Sequence, residues 1–333
     1  MKTQLIAEIA QAHDGSLGIL HSFIDALAET GVQTIKFQIH NAEAESSEFE
    51  KFRIPFSYVD KTRKDYWKRM EFSFEQWQDI KRHVEENDME FLATPFSIAA
   101  VEMLERLQVN RYKVGSGDVS NLLLLDRIAQ TGKPILLSSG MSDWKELEHS
   151  VNFLKAFQSE LSVMQCTSLY PCPPEKTGLH LIPEMKQRFG VPVGYSDHSG
   201  TIYAGTCAVA LGAELLEFHV CFDKRMFGPD AIASLTIEEV GQLVESVEFV
   251  ENACIQTGLK DASDQFNEMR TLFGKSLATR KQLDAGHVIL KSDLESKKPA
   301  GYGIPTSEFQ KLIGKKLIHG LHANQFINWS DVE

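Results

Sequence analysis

The sequence predicts an α/β fold, a (β/α)₈ TIM barrel followed by a small C-terminal domain. Eight short apolar runs alternate with helical patterns in the first 259 residues. The runs are continuously apolar, as strands covered on both faces by helices are. An open doubly wound sheet is the rival architecture. The count of eight strand–helix units and the absence of a GxGxxG loop favour the closed barrel.

The eight predicted strands are Leu5–Ala10, Thr34–Ile39, Glu90–Phe96, Tyr112–Gly115, Ile135–Ser138, Leu161–Cys166, Val191–Gly194 and Leu215–Val220. Gly190 and Gly212 stand just before strands, where a glycine commonly ends the preceding helix. Ser73 and Gln76 have the spacing of a capping box and predict a helix start.

An unusually long connection separates the second and third predicted strands. Its first part, residues 41–70, is rich in charged and aromatic residues. Long insertions in compact domains are usually functional lids or disordered segments. The aromatic content favours an ordered flap.

The chain is predicted to divide at a polar stretch after the barrel. Residues 1–259 form the barrel domain, residues 260–274 a linker, and residues 275–333 a small separate domain. A domain of about 60 residues is marginally stable alone, so the tail is expected to dock onto another surface.

Composition restricts the partners. The formal net charge of −12 makes nucleic acid or an anionic membrane an unlikely general partner, and 43% hydrophobic residues suit a globular core. The apolar runs are shorter than the roughly 20 residues of a membrane span, and the N-terminus lacks a signal-peptide pattern. We therefore expect a cytoplasmic protein. The odd count of five cysteines, without a CxxC pair, argues against a disulfide framework and a zinc cluster.

Polar side chains stand at the C-terminal ends of almost all predicted strands. Because these ends meet around one mouth in a barrel, the residues are expected to line one pocket. They are Glu8, Lys36, Gln38, Thr94, Lys113, Ser116, Ser138, Tyr170, Ser196, His198 and His219.

Two histidines at the ends of neighbouring strands form a candidate metal site. Strands lie about 5 Å apart, so His198 and His219 at similar height can share one divalent ion. Glu8 on the adjoining first strand supports this interpretation, and Asp197 is a candidate to orient an imidazole. The alternative is a pair of satisfied buried histidines. The donor set does not select among Mn²⁺, Mg²⁺, Fe²⁺ and Zn²⁺.

Two lysines in apolar strands form a candidate anion site. Lys36 and Lys113 are rarely tolerated in such positions unless they are paired or face a polar cavity. With neighbouring hydroxyl groups they would bind a phosphate or carboxylate. The alternatives are structural ion pairs with Glu8 or Asp118, or a Schiff-base lysine. Asp230, in the loop after the last strand, either faces the same pocket or is simply solvated.

Several motifs occur in an order that resembles the sialic acid (N-acetylneuraminate or nonulosonic acid) synthase family. They are AEIAQAHDG, IKFQ, TPF, YKVGSGD, LSSGM, QCTSLYPCPP, GYSDHSG and FGPDAIAS. The tail from Lys275 resembles the family's antifreeze-like (SAF, β-clip) domain. The resemblance covers essentially the whole chain. It implies a transferase that condenses phosphoenolpyruvate with an open-chain N-acylated amino sugar. The implied chemistry is metal-assisted aldol-type C–C bond formation, water addition at C2 and phosphate release.

The resemblance also implies roles for residues, a cofactor and a partner. It implies Mn²⁺ or Mg²⁺ on His198 and His219, and a domain-swapped homodimer. Glu8, a candidate acid/base, and Asp230 are implied as sugar-side or catalytic positions. The remaining implied substrate-binding residues are Lys36, Gln38, Thr94, Lys113, Ser116, Ser138, Ser168, Tyr170, Ser196 and Lys298.

The chain departs from the family pattern at positions that bear on the substrate. Many relatives have Asn at Ser168, Lys at Phe218 and Arg at Lys298. Lysine keeps the positive charge of arginine but loses its planar, bidentate fork. The departures indicate altered sugar recognition, or a divergent member whose acceptor is not N-acetylmannosamine.

Three readings of the function stay open at this point. One alternative is another phosphoenolpyruvate-dependent ulosonate synthase that uses a sugar phosphate. The other is an inactive barrel whose tail serves carbohydrate binding or assembly. For the synthase, the acceptor is N-acetylmannosamine, its 6-phosphate or a 2,4-diacetamido-2,4,6-trideoxyhexose.

Overall fold

The computed structural model describes residues 2–254 and 263–333. The chain divides into two compact units, Met1–Ile255 and Gln256–Glu333. Each unit has a hydrophobic core of its own.

The first unit contains a closed parallel barrel, which confirms the predicted fold class. Strands β1 to β9 hydrogen-bond in sequence order, and β1 also pairs with β8. The strands are β1 Gln4–Glu8, β2 Thr34–Ile39, β3 Glu90–Pro95, β4 Tyr112–Val114, β5 Ile135–Ser138, β6 Leu161–Cys166, β7 Val193–Asp197, β8 Leu215–Cys221 and the short β9 Leu235–Thr236.

The seventh strand was predicted wrongly at its C-terminal end. It continues through Tyr195, Ser196 and Asp197, which are buried and pair with β8. The prediction stopped at Gly194 because polar residues were taken as the start of a loop. A strand can carry such residues where their polar groups find buried partners, and Ser196 donates to Glu217 at 3.0 Å.

Helices cover the outside of the barrel, and two of the helices, the second and the third, lie in the long insertion. They are α1 Leu17–Ala28, α2 Ala42–Glu45, α3 Arg63–Met70, α4 Phe74–Glu86, α5 Ile98–Arg106, α6 Leu122–Ala129, α7 Trp144–Lys155, α8 Leu181–Phe189, α9 Ile202–Ala210 and α10 Ile237–Ala253. The predicted capping box of Ser73 and Gln76 is present. Gly190 ends α8 in the left-handed region with φ 61°. None of the helices in the described residues is long and apolar enough to span a membrane.

Apolar side chains fill one end of the barrel interior, and polar side chains line the other end. A small apolar cluster of Ile6, Leu92, Leu136, Met164 and Leu215 is separate from the larger core between strands and helices. Since side chains alternate along a strand, these residues share the inward face with the polar residues that follow two positions later. The cluster forms the floor beneath the polar mouth.

The long insertion packs through its own aromatic cluster. Helices α2 and α3 lie within it, and Tyr66, Trp67 and Met70 of α3 are buried against Ala42. Burial of these large side chains accounts for an ordered segment at the mouth of the barrel.

The second unit is a small domain with short elements. They are α11 Asn267–Phe273, β10 Ser276–Thr279, β11 Leu294–Lys297 and α12 Phe309–Leu312, with β10 and β11 antiparallel. Residues 260–262 of the predicted linker lie outside the described residues. The rest of that segment contains α11, whose sequence NEMRTLF consists largely of good helix formers.

An internal repeat organises the tail. Residues 283–295 and 321–333 are identical at six of 13 positions. Leu283 and Leu321, the first residues of the two copies, pair in an antiparallel bridge. Each copy ends in a 3₁₀ turn capped by a buried aspartate, Asp293 or Asp331. The sequence analysis missed this repeat, which is visible as the recurring pattern L-x-A-x-x-x-I-x-x-S-D-x-E.

Candidate active site

The C-terminal mouth of the barrel contains two adjoining cavities. The inner cavity, above the apolar floor, has a volume of about 380 Å³, and the outer cavity one of about 420 Å³. The residues that line both are Gln38, Arg53, Arg63, Phe96, Tyr170 and His219. A molecule in one cavity therefore lies next to a molecule in the other.

The structure brings almost all of the predicted site residues together here. The inner cavity is lined by Glu8, Lys36, Gln38, Thr94, Lys113, Ser116, Ser138, Ser168, Tyr170, Ser196, His198 and His219. Asp230 lines the outer cavity. Lys298 belongs to the second unit, where its Nζ lies 5.0 Å from the centroid of the Phe273 ring. Its part in the site stays a prediction.

Strand register sets these side chains at one height. Glu8 of β1 is paired with Lys36 of β2 on one side and with His219 of β8 on the other. Gln38 is paired with Thr94 in the same way. The closure of the barrel between β1 and β8 thus places an acid, a lysine and an imidazole side by side.

Both buried lysines bind one carboxylate that the sequence analysis overlooked. Lys36 Nζ and Lys113 Nζ each lie 3.1 Å from Glu217 Oε1. The same oxygen accepts from Ser196 at 3.0 Å, and Lys113 also donates to Ser138 Oγ at 2.8 Å. The two ammonium groups are therefore held a short distance apart at the bottom of the inner cavity.

Glu8 supplies a second carboxylate. It is fully buried, contacts Lys36 through Oε2 and accepts from the Ala10 amide at 2.9 Å through Oε1. Of the two ion-pair partners considered from sequence, Glu8 is present and Asp118 is not. The lysines nevertheless line a cavity, so their pairing does not bury them away from a ligand.

Burial and charge set the ionisation of this cluster. Burial lowers the pKa of Lys36 to about 8, so the ammonium form prevails at neutral pH. Burial by itself raises the pKa of Glu217, but Lys113 and Lys36 hold that pKa well below its usual range. The inner cavity thus combines fixed positive groups with an ionised counterion.

The two histidines lie close enough to share a ligand. Their ring centroids are 5.2 Å apart, and the Tyr170 ring stacks on His198 at 4.0 Å. His198 Nδ1 donates to the Thr167 carbonyl at 2.9 Å, so Nε2 is the nitrogen that can accept when the ring is neutral. Burial by itself lowers the pKa of this imidazole, but Cys166 and the Thr167 carbonyl hold that pKa above its usual value. Asp197 was expected to orient an imidazole; it instead accepts from the backbone amide and hydroxyl of Ser199.

These histidines fit a divalent ion as an open pair of ligands. Burial, reinforced by His198, lowers the pKa of His219 far below its usual value, so its ring is neutral and can donate a lone pair. Within residues 2–254 and 263–333, no group of three or more histidine, cysteine or acidic side chains is arranged around a common ion position. Any further ligands would come from substrate oxygens and water.

A three-ring stack forms one wall of the outer cavity. His40 lies between Trp67, at 3.9 Å between centroids, and Phe96, at 4.8 Å. His40 Nδ1 bonds Glu45 at 2.7 Å, and Nε2 lies 3.0 Å from the Gln11 amide nitrogen. The two flanking rings and Glu45 thus hold the His40 imidazole in place, and the Gln11 side-chain amide lies next to it at the cavity wall.

Two arginines from the insertion reach the boundary between the cavities. Arg53 Nη2 lies 2.7 Å from Asp230 Oδ1, and its guanidinium covers the Tyr170 ring at 4.3 Å. Arg63 Nε lies 3.5 Å from Glu50 Oε1. The insertion therefore contributes charged groups to the site as well as covering it.

Sequence reasoning missed several of these residues. Glu217 carried a usable signal, because it is a charged residue in a buried strand two positions before His219. Gln11, His40 and Phe96 carried the same strand-end signal as the predicted residues, since they follow β1, β2 and β3 closely. Glu45, Glu50, Arg53, Arg63 and Trp67 carried none, since their positions depend on how the insertion folds. The missed residues are Gln11, His40, Glu45, Glu50, Arg53, Arg63, Trp67, Phe96 and Glu217.

The fold and the mouth define a class: a (β/α)₈-barrel protein with a buried, lysine-lined cavity, two adjacent imidazoles and an appended small domain. The chain belongs to the NeuB family, whose family model matches residues 23–258. The SAF domain model matches residues 274–333. Both matches confirm the resemblance drawn from the motifs.

Relatives and a solved structure agree with this membership. Human N-acetylneuraminate-9-phosphate synthase is 33% identical over 94% of this chain and 88% of its own length. N,N'-diacetyllegionaminic acid synthase of Campylobacter jejuni is 30% identical over 94% of this chain and 95% of its own. The crystal structure of an N-acetylneuraminic acid synthetase from Leptospira borgpetersenii matches with a TM-score of 0.71 and 28% identity. That match covers 81% of this chain and 93% of the other.

Proposed function

We propose that the protein is a nonulosonic acid synthase, a transferase that joins phosphoenolpyruvate to the aldehyde carbon of an open-chain N-acylated amino sugar. The relatives named above are synthases of nonulosonic acids. The single observation that carries the proposal is the adjacency of the two cavities. One is lined by buried lysines and hydroxyls, the other by amides, carboxylates and aromatic rings.

The inner cavity suits phosphoenolpyruvate. Lys36 and Lys113 would neutralise its carboxylate and phosphate, which otherwise repel each other and a second polar substrate. Thr94 Oγ1 is buried and has no hydrogen-bond partner among the described residues, so its hydroxyl is free to bond a substrate oxygen. Further hydroxyl groups on the same wall belong to Ser116, Ser138, Ser168 and Ser196.

The outer cavity suits the sugar. Gln38 and Tyr170 line both cavities and would fix the aldehyde end of the sugar next to C3 of the enol. His198 and His219 would hold Mn²⁺ or Mg²⁺, which when bound supplies Lewis-acid polarisation of the aldehyde oxygen. The new bond joins C3 of phosphoenolpyruvate to the aldehyde carbon, whose oxygen becomes a hydroxyl group.

Glu8 is the candidate for proton transfer. Water adds at C2 and phosphate departs with cleavage of the C2–O bond, which requires removal of a proton from water or hydroxyl. Glu8 Oε2 faces Lys36 at the inner cavity, while Oε1 is held by a backbone amide. That arrangement orients one carboxylate oxygen toward the lysine that would bind the departing phosphate.

Phosphate release tests the proposal directly. Purified protein is incubated with phosphoenolpyruvate, Mn²⁺ and a panel of N-acylated amino sugars, and inorganic phosphate and the nine-carbon acid are measured. We expect release that depends on both sugar and metal. Activity with a phosphorylated aldose but with none of the N-acylated amino sugars would favour the alternative, an ulosonate synthase that uses a sugar phosphate. Absence of release with every sugar and metal would favour the inactive barrel.

A further inference from the structure

We infer that three residues of the outer wall, Glu45, His40 and Gln11, are positioning residues that fix which end of the Gln38 side-chain amide faces the substrates. The inference rests on the proposed function and adds to it residues that have no role there. Its basis is an unbroken chain of hydrogen bonds, which runs from the Glu45 carboxylate to the boundary between the two cavities.

The chain begins at a carboxylate. Glu45 Oε1 lies 2.7 Å from His40 Nδ1, and Glu45 Oε2 accepts from the Asn41 backbone amide at 3.2 Å. Only 3% of the His40 side chain and 7% of the Glu45 side chain are exposed, so little water competes for this pair. An ionised carboxylate has no proton to donate. The ring proton of His40 therefore belongs on Nδ1, and Nε2 of the neutral ring is an acceptor.

The tautomer of His40 sets the direction of the next two hydrogen bonds. The side-chain nitrogen of Gln11 lies 3.0 Å from His40 Nε2 and donates to it. The same nitrogen has a second proton, which it donates to Gln38 Oε1 at 2.5 Å. If either amide turned over, two acceptors or two donors would lie face to face. A doubly protonated His40 would donate to the same Gln38 oxygen from 3.2 Å, so Gln38 keeps its direction in either state.

Packing holds the imidazole in line with both of its partners. His40 lies between the rings of Trp67 and Phe96, which are nearly parallel to it, with interplanar angles of 16° and 4°. Because both faces of the imidazole are covered, the ring has no room to tilt away from Glu45 on one edge and Gln11 on the other.

The chain leaves the nitrogen of the Gln38 amide facing the substrates. The Gln38 oxygen is occupied by Gln11, and within residues 2–254 and 263–333 no group accepts from the Gln38 nitrogen. This side chain lines both cavities. Its two N–H groups suit an oxygen that only accepts, such as the carbonyl oxygen of the open-chain sugar. They would also stabilise the negative charge that develops on that oxygen as the C–C bond forms.

A pair of variants on the same short helix tests the role of Glu45. The amide introduced by Glu45→Gln can donate as well as accept, so it no longer fixes the tautomer of His40. With Mn²⁺ and the N-acylated amino sugar that reacts fastest in the panel above, kcat/KM for the sugar should fall by about 10-fold. KM for phosphoenolpyruvate, which binds in the inner cavity, should stay within about 2-fold. The control, Glu43→Gln, removes an exposed carboxylate that pairs with Lys64 and should change neither value.

A double-mutant cycle separates positioning from a general structural role. If Glu45 acts through Gln38, then in a Gln38→Ala background Glu45→Gln should change kcat/KM for the sugar by less than about 2-fold. A loss of about 10-fold in both backgrounds would overturn the inference, and so would equal losses in Glu45→Gln and Glu43→Gln.

Nitrogen NMR of the histidine rings tests the chain without any turnover. In protein labelled with ¹⁵N at histidine, the His40 signals are those that disappear in His40→Gln. We expect Nδ1 of His40 to be protonated in the parent protein. A neutral ring protonated at Nε2 would overturn the inference even in an active enzyme. If no sugar reacts, the proposed function fails, and the NMR result alone decides whether the hydrogen bonds run in the inferred direction.

Discussion

Lys36 and Lys113 donate to the same carboxylate oxygen, Glu217 Oε1, each at 3.1 Å. Two like charges are thus held together in a buried cavity by one shared counterion. The arrangement keeps the lysines fixed before a ligand arrives, which reduces the reorganisation that ligand binding requires.

Glu217→Gln should destabilise the protein without its ligand. Removing one partner of a buried ion cluster leaves uncompensated charge and costs about 3–5 kcal/mol in free energy of unfolding. Urea denaturation measures this quantity. Phosphoenolpyruvate should recover more stability in the variant than in the parent protein, since its anionic groups replace the missing carboxylate.

Glu214→Gln is the matched control for that substitution. Glu214 precedes the same strand and pairs with Lys186 at 2.7 Å in a partly exposed position. Such pairs contribute about 0–1 kcal/mol. Similar losses of stability in both variants would contradict the view that Glu217 is a buried counterion.

The affinity for phosphoenolpyruvate should depend on pH through Lys36. Burial lowers the pKa of this lysine to about 8, so it is charged below that pH and neutral above it. KM for phosphoenolpyruvate should therefore rise as pH increases from 7 to 9, by up to about 10-fold. Initial rates across this range measure the effect. In Lys36→Arg, whose side chain stays charged, the pH dependence of KM should be absent even if the overall rate falls.

His219→Ala should abolish metal-dependent turnover. His219 lies beside His198 with 5.2 Å between ring centroids, and a single imidazole holds a divalent ion poorly. We expect phosphate release to fall by at least about 100-fold and Mn²⁺ affinity, measured by calorimetry, to fall with it. The control is His149→Ala, which removes an exposed histidine on α7. Undiminished activity of His219→Ala in metal-free buffer would reject the metal site.

The tail is predicted to act on the partner barrel of a homodimer. A chain ending at residue 258 retains the compact first unit but lacks the SAF domain. It should sediment as a monomer and lose most activity, whereas Lys298→Ala in the full chain should remain dimeric with a raised KM for the sugar. A truncated monomer with full activity would rule out this arrangement.

Asp293→Asn should destabilise the tail. Asp293 is buried, accepts from the Leu290 amide at 3.0 Å and bonds His287 at 2.7 Å. Loss of the charged acceptor should cost about 1–2 kcal/mol, seen as a lower unfolding temperature of this domain in calorimetry. Asp284→Asn, at an exposed position of the same repeat copy, should have little effect. If the two variants unfold at the same temperature, the buried contacts of Asp293 do not stabilise the tail.

The sequence predicted the barrel and the inner cavity well for one physical reason. Parallel strands are continuous apolar runs, and a charged residue such as Lys113 in one of them must face a polar cavity or a partner. The same rule applies to Glu217, which lies in a buried strand two residues before His219 and was missing from the predicted site. The early end assigned to β7 arose from treating buried polar residues as loop residues.

The part of the outer cavity that the insertion contributes was beyond sequence reasoning. Arg53 and Arg63 lie in an insertion whose sequence has no period that indicates which residues face inward. Their positions follow from aromatic packing around Tyr66 and Trp67, and packing partners distant in sequence cannot be read from one chain. For the insertion, only the presence of an ordered, charged segment was predictable.

The pairing of β1 with β8 has a consequence for biosynthesis. Glu8 is made among the first residues of the chain, and its neighbour His219 is made more than 200 residues later. A ribosome-bound fragment that stops before the eighth strand holds neither the closing hydrogen bonds nor Glu217. A ligand that binds this mouth can therefore assist folding only after nearly two thirds of the polypeptide has been translated, and earlier stages depend on the helices and on the pairing of the first seven strands.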